Sequence, residues 1–298
     1  MDMGILTTFF LLFNLTYLCL SNGAENVQIL KPRPRRTKEK LHDSFVSLTQ
    51  QPHDIAFYGD SITHHFQESP IWQNVYVPLK AVNFGIPGDR AEELWWRLRN
   101  GELQSSNPPK VMIVMIGTNN LWNTTNAVLI STINGLLTDA HEISPSSRVI
   151  LLGIFPRGPN PTDPYRARVT AVNKQLASFE NRNWLYYLDF GAKFIEPNGT
   201  ITEDMMPDSL HLGETGYGIW EREMKPLLTQ LLAMPPLPVE PSHEKSNHTR
   251  VVNIPKDDSD SETMGSVGYK KGNKRKGRKK GNTRSSRKRQ GGEGEEQD

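Results

Sequence analysis

Between about residues 42 and 233 the chain alternates two apolar patterns. Short runs that are apolar at nearly every position occur at 55–58, 81–84, 111–116, 149–154 and 184–188. Between them, around 71–79, 91–98, 127–142 and 165–181, apolar residues recur at helical spacing, and a last helix is expected over 216–232. Strands apolar on both faces belong in a parallel sheet covered on both sides. The pattern therefore predicts one doubly wound α/β domain, a three-layer α/β/α sandwich around a flavodoxin-like five-stranded parallel sheet. Such sheets bind ligands beyond the carboxyl ends of their strands, where turn residues and not the apolar runs carry the chemistry.

The pattern fails at both ends. Residues 5–20 are almost wholly apolar and are followed by Ser21-Asn22-Gly23-Ala24, which reads as a secretory signal over 1–24. Met1 to Gly4 hold no Lys or Arg and Asn14 interrupts the run, so a membrane anchor is the alternative. At 1.5 Å per residue, however, the run falls short of a ~30 Å hydrocarbon core. Residues 25–41 are polar and basic and read as an exposed N-terminal arm, with Arg36 ending a dibasic processing signature. Beyond Met234, Pro235-Pro236-Leu237-Pro238 stops the last helix. Residues 234–298 have too few large apolar side chains to offset chain entropy and are expected to be disordered.

Charge sharpens this division. The 298 residues carry a formal +2, yet twelve of the 35 Lys and Arg lie within 265–289, which holds no acid. That leaves 23 basic against 33 acidic residues elsewhere, an acidic body with a basic tail. The polybasic stretch 270–289 suits a polyanion such as a sulfated glycan, or is simply a solvated tail. Arg289 ends a convertase-like sequence. The single cysteine, Cys19, falls in the leader, so the mature chain is expected to have neither disulfides nor a thiol nucleophile. Sequons stand at Asn123, Asn198 and Asn247 and would accept glycans on a secretory route.

Candidate chemistry sits at the strand ends. Gly59-Asp60-Ser61 follows the first run, and Asp208-Ser209-Leu210-His211 precedes the last helix. Together they offer a serine, a carboxylate and an imidazole, the parts of a nucleophilic hydrolase. No Gly-x-Ser-x-Gly elbow is present, which argues against the α/β-hydrolase class. Asn119 in Gly117-Thr118-Asn119-Asn120 and Gly88 in the loop after the second run could donate N–H groups to an oxyanion, or be ordinary turn residues. His64 and His65 form an adjacent pair without a carboxylate cluster, weak grounds for a metal. Trp95 and Trp96 read as core, or one of them as an interface residue.

Four ordered blocks, headed by Ser61, Gly88, Asn119 and His211, make the chain similar to the SGNH, or GDSL, hydrolases. Within that family it most resembles the catalytic subunits of type I platelet-activating-factor acetylhydrolase. The segments that carry this are Ala81-Val82-Asn83-Phe84-Gly85-Ile86, Trp96-Arg97-Leu98-Arg99-Asn100-Gly101-Glu102-Leu103 and Gly153-Ile154-Phe155-Pro156-Arg157-Gly158. Pro87 departs from that pattern, where those subunits have glycine. The resemblance covers 42–233 and implies a serine esterase for short acyl, chiefly acetyl, esters. It implies Ser61 as nucleophile, His211 as base and Asp208 as its support, with an oxyanion hole from the Ser61 and Gly88 N–H groups and the Asn119 amide. It also implies no metal or other cofactor, and homodimers. Ile62, Leu210 and Leu212, beside the reacting groups, would narrow an acyl pocket or serve as core. The competing expectation is a polyanion-binding extracellular protein that uses the fold as a scaffold.

Overall fold

A computed structural model describes residues 36–239, with two short segments that pair as an antiparallel ribbon, Ala24–Asn26 and Asn253–Pro255. The expected leader, apart from Ala24, lies outside the described residues, as do Asn247, the polybasic stretch 270–289 and Arg289. Among the described residues no helix is long and apolar enough to cross a membrane.

Five strands form the sheet: β1 (Ile55–Gly59), β2 (Ala81–Gly85), β3 (Val111–Met115), β4 (Arg148–Leu152) and β5 (Leu185–Leu188). All pair parallel, in the order β2-β1-β3-β4-β5. This is the expected flavodoxin-like order. The three inner strands are buried at every position, while edge strand β5 is half-exposed along most of its length.

Alternation along the strands divides the interior into two layers. Ala56, Tyr58, Met112 and Val114 face one layer, with Leu94 and Leu98, Leu129 to Leu137, and Val169 to Leu176. Those partners come from α3 (Ala91–Arg97) and the turn after it, α4 (Asn126–Ile143) and α5 (Pro164–Leu176). Ile55, Phe57, Ile113 and Met115 face the other, against Phe66 of α2 (Ser61–Phe66) and Trp220, Met224 and Leu228 of α6 (Glu214–Ala233). Phe57 alone meets Phe66, Trp72, Tyr76 and Trp220 at centroid distances of 5.0–6.3 Å.

Three expectations change. A helix, α1 (Arg36–Leu48), begins inside the stretch 25–41 read as an arm, and the folded unit therefore starts before residue 42. Phe45 of α1 packs edge-on against Phe84 and Lys38 reaches Asp89 at 2.8 Å, contacts an exposed arm would lack. The helix expected over 71–79 is one π-helical turn, Trp72–Tyr76, whose two aromatic ends pack on Phe57. The helix expected over 165–181 ends as α5 at Leu176 and continues as a tighter turn, Ala177–Asn181.

Candidate active site

Ser61 is the first residue of α2, directly beyond β1. Asp60 caps this helix, its Oδ1 accepting the Ile62 N–H at 3.0 Å. The helix lies so close to β2 that a Cβ on Gly85 would meet the His64 backbone nitrogen at 2.3 Å. As the first helical residue, Ser61 has an N–H with no intrahelical acceptor.

From 150 residues further along the chain the turn Asp208–His211 brings the other two groups. His211 Nε2 is 2.8 Å from Ser61 Oγ, and His211 Nδ1 is 2.6 Å from Asp208 Oδ2. Asp208 Oδ1 accepts the backbone N–H groups of Leu210 at 3.0 Å and His211 at 2.7 Å. With Nδ1–H donating to Asp208, Nε2 is left to accept the serine proton, the tautomer general-base chemistry needs. Partial burial pushes the Asp208 pKa up, but the His211 side-chain and backbone bonds and the Leu210 N–H outweigh it and hold the carboxyl below its usual value. Ser209, at φ 60°, occupies the left-handed region, an uncommon conformation for serine. The turn is tied down by Ser209 N–H to Met206 O and by Gly158 N–H to Ser209 O, both at 2.8 Å.

Opposite stands the loop after β2. Gly88 adopts φ 74°, which suits a residue without Cβ, and its N–H has no partner among the described residues. Asn119, beyond β3, donates one amide hydrogen to Asp89 O at 2.9 Å, which leaves the second free. The Ser61, Gly88 and Asn119 donors thus belong to three loops at one sheet edge, those after β1, β2 and β3. Of the proposed pocket residues, Ile62 is 1% and Leu212 6% exposed, and both belong to the core; Leu210 is half-buried against it. Leu212 also lines a groove of about 450 Å³ beside His211 with His65, Glu68, Glu214 and Tyr217. Asn123 and Asn198 are exposed.

Several site residues were not evident from sequence spacing. His65 meets the His211 ring edge-on at 5.4 Å and its Nδ1 is 3.2 Å from Glu68. His64 instead bonds Gly85 O at 3.1 Å. Beneath the Gly88 loop lies a buried charge network. Arg97 bonds Asp89 at 2.8 Å, contacts Glu102, and donates to Gly59 O at 3.3 Å. Burial disfavours the Arg97 cation, but Glu102 and Asp89 outweigh it and raise its pKa. Lys38 adds bonds to Asp89 and to Gly88 O, and His42 lies 2.8 Å from Glu102. Beside Ser61, burial pushes the fully enclosed Asp60 carboxyl up to about 7, and its Oδ2 has no hydrogen-bond partner among the described residues.

A serine bonded to an imidazole bonded to a carboxylate, at the carboxyl edge of an α/β/α sheet, defines a hydrolase of the serine-nucleophile class. Comparison with known proteins narrows the class. Residues 57–219 match the GDSL-like Lipase/Acylhydrolase family, and the chain belongs to that family. It is 37% identical over 196 residues to platelet-activating factor acetylhydrolase IB subunit alpha1 of Homo sapiens, covering 65% of this chain and 83% of that protein. It is 37% identical over 197 residues to the alpha2 subunit of Gallus gallus, covering 65% and 85%. Among solved structures, a GDSL-like lipase from Bacteroides thetaiotaomicron shares the fold with a TM-score of 0.53 and 15% identity, covering 63% of this chain and 97% of that one. The chain is accordingly a serine esterase of the GDSL type.

Proposed function

We propose that the protein is a secreted esterase that removes short acyl groups, acetyl foremost, through a covalent Ser61 ester. The observation that carries this reading is the continuous line of bonds from Ser61 Oγ through His211 to Asp208, at 2.8 and 2.6 Å. Ser61 Oγ attacks the ester carbonyl while its proton moves to His211 Nε2. The resulting oxyanion is held by the Ser61 and Gly88 N–H groups and the free Asn119 amide hydrogen. Collapse expels the alcohol, which takes the proton from His211, and leaves an acyl-serine. Water then gives its proton to His211 and attacks the acyl carbonyl, releasing the carboxylate and restoring Ser61. Asp208, held ionised by its hydrogen bonds, supports the imidazolium in both halves.

Acetyl preference is supported by the names of the matching relatives and by the position of half-buried Leu210 next to His211, where it would restrict a longer chain. Secretion is supported by the apolar segment 5–20 and by the exposure of Asn123 and Asn198, which could carry glycans. Retention on a polyanion through 270–289, and homodimerisation, accompany this reading on sequence and resemblance alone. Kinetics on p-nitrophenyl esters of increasing acyl length test the proposal. Turnover should be highest with acetate, fall with chain length, and vanish in Ser61→Ala; hydrolysis that survives Ser61→Ala, or favours long chains, sinks it.

A further inference from the structure

The loop after β4 places a guanidinium at the same sheet edge, with a role the acyl-transfer steps do not use. Arg157 is half-buried, and among the described residues no carboxylate forms an ion pair with it. Its one hydrogen-bonding nitrogen, Nη1, reaches Thr118 O and Oγ1, both at a long 3.3 Å. Nε and Nη2 make no bond to the described protein. Arg97, by contrast, binds two carboxylates, and Arg166 spends its Nε and Nη2 on the carbonyls of Arg157 and Gly158 at 2.7 and 2.8 Å. Those two bonds fix the backbone beneath Arg157, so the free donors sit on an anchored residue.

Two aromatic rings wall this side chain. The Arg157 Cζ lies 4.9 Å from the Tyr165 ring centroid and 5.8 Å from that of Trp122, which is 53% exposed. Ring contacts engage the face of a guanidinium, whereas its hydrogen bonds leave from the edge. The rings therefore orient the fork without consuming its donors.

Position ties this cation to the reaction. Thr118, which it touches, precedes Asn119. Gly158, which follows it, donates to Ser209 beside Asp208. The groove on the His211 side carries Glu68 and Glu214 and so repels an anion. The buried Asp60 carboxyl feels this charge but forms no ion pair with it. A partly desolvated guanidinium without a hydrogen-bonded counter-ion is costly, and an anionic ligand would offset that cost.

We infer that Arg157, flanked by Trp122 and Tyr165, is an anion-recognition subsite for the alcohol portion of the ester. The preferred substrates bear phosphate, sulfate or carboxylate oxygens on that portion. The inference rests on the esterase reading for its placement of the alcohol.

The test compares 4-acetoxyphenyl phosphate with neutral phenyl acetate in wild type, Arg157→Gln and Arg157→Lys. The quantity read is the ratio of the two kcat/KM values, and thermal melts confirm folding. In wild type the ratio favours the phosphate ester and declines with added salt. Arg157→Gln, which keeps an amide for Thr118, lowers the ratio roughly tenfold or more, the scale of a charge-assisted bond. Arg157→Lys retains part of it. A second measurement dispenses with turnover: phenyl phosphate binding to Ser61→Ala by calorimetry, weakened to the same degree by adding Arg157→Gln. A ratio unchanged by Arg157→Gln, or equal phenyl phosphate behaviour in the two Ser61→Ala proteins, overturns the subsite. Arg157-dependent binding without hydrolysis of any ester would instead overturn the esterase reading and leave the subsite standing.

Discussion

Arg97→Met isolates the buried charge network that underlies the oxyanion loop. Arg97 is 4% exposed, and its partners Asp89 and Glu102 are 1% and 0% exposed. Methionine keeps the length of the stem and removes the cation. Breaking a buried ion pair typically costs about 3–5 kcal/mol, because the orphaned charge stays buried. Lys38 still reaches Asp89 at 2.8 Å and His42 still reaches Glu102 at 2.8 Å, so the lower end, about 3 kcal/mol, is expected. For a domain of this size each kcal/mol moves Tm by about 2–4 °C, so Tm should fall by about 6–12 °C. Burial already raises the Asp89 pKa, against the pull of Arg97 and Lys38; losing Arg97 raises it further. A carboxyl with a folded pKa above its unfolded value loses stability as pH rises between the two. The deficit should therefore be larger at pH 8 than at pH 5. Because Asp89 O accepts the Asn119 amide, kcat on p-nitrophenyl acetate should fall more than KM rises. Calorimetric melts at both pH values read the effect. A Tm within about 2 °C of wild type at both would show that the network contributes nothing of the kind argued.

Two further outcomes follow from the site. Asn119→Ala removes one oxyanion donor and should lower kcat by ~10²–10³ with KM nearly constant; a drop confined to KM would move Asn119 from transition-state stabilisation to substrate binding. Asp60 has a folded pKa raised to about 7, so wild type loses stability between its unfolded value near 4 and 7 as pH rises. Asp60→Asn keeps the cap to Ile62 without the charge, so its urea stability relative to wild type should improve from pH 5 to pH 8; an identical difference at both pH values would contradict the buried carboxylate.

The sheet was legible because β1, β3 and β4 are apolar on both faces, and only a covered parallel strand tolerates that. Ser61, Gly88, Asn119 and His211 were legible because each follows a strand or precedes a helix at a turn. Helix α1 was not, because Arg36 to Lys40 are mostly charged and only Leu41 and Phe45 pack toward the sheet. Helix α2 is six residues long and includes two histidines, too short for a period to show. The Arg97 network escaped for another reason. Its members come from α1, α3 and the loops around them, and charges on a helix ordinarily mean a solvated face. Trp122, Arg157 and Tyr165 meet only in three dimensions.

The central claim, that Ser61 is an activated nucleophile, is tested most directly by labelling the folded protein with a fluorophosphonate and mapping the adduct by mass spectrometry. The account predicts one adduct per chain, on Ser61, absent in Ser61→Ala and strongly slowed in His211→Ala. Labelling at another residue, or equal labelling of Ser61 with and without His211, would contradict it.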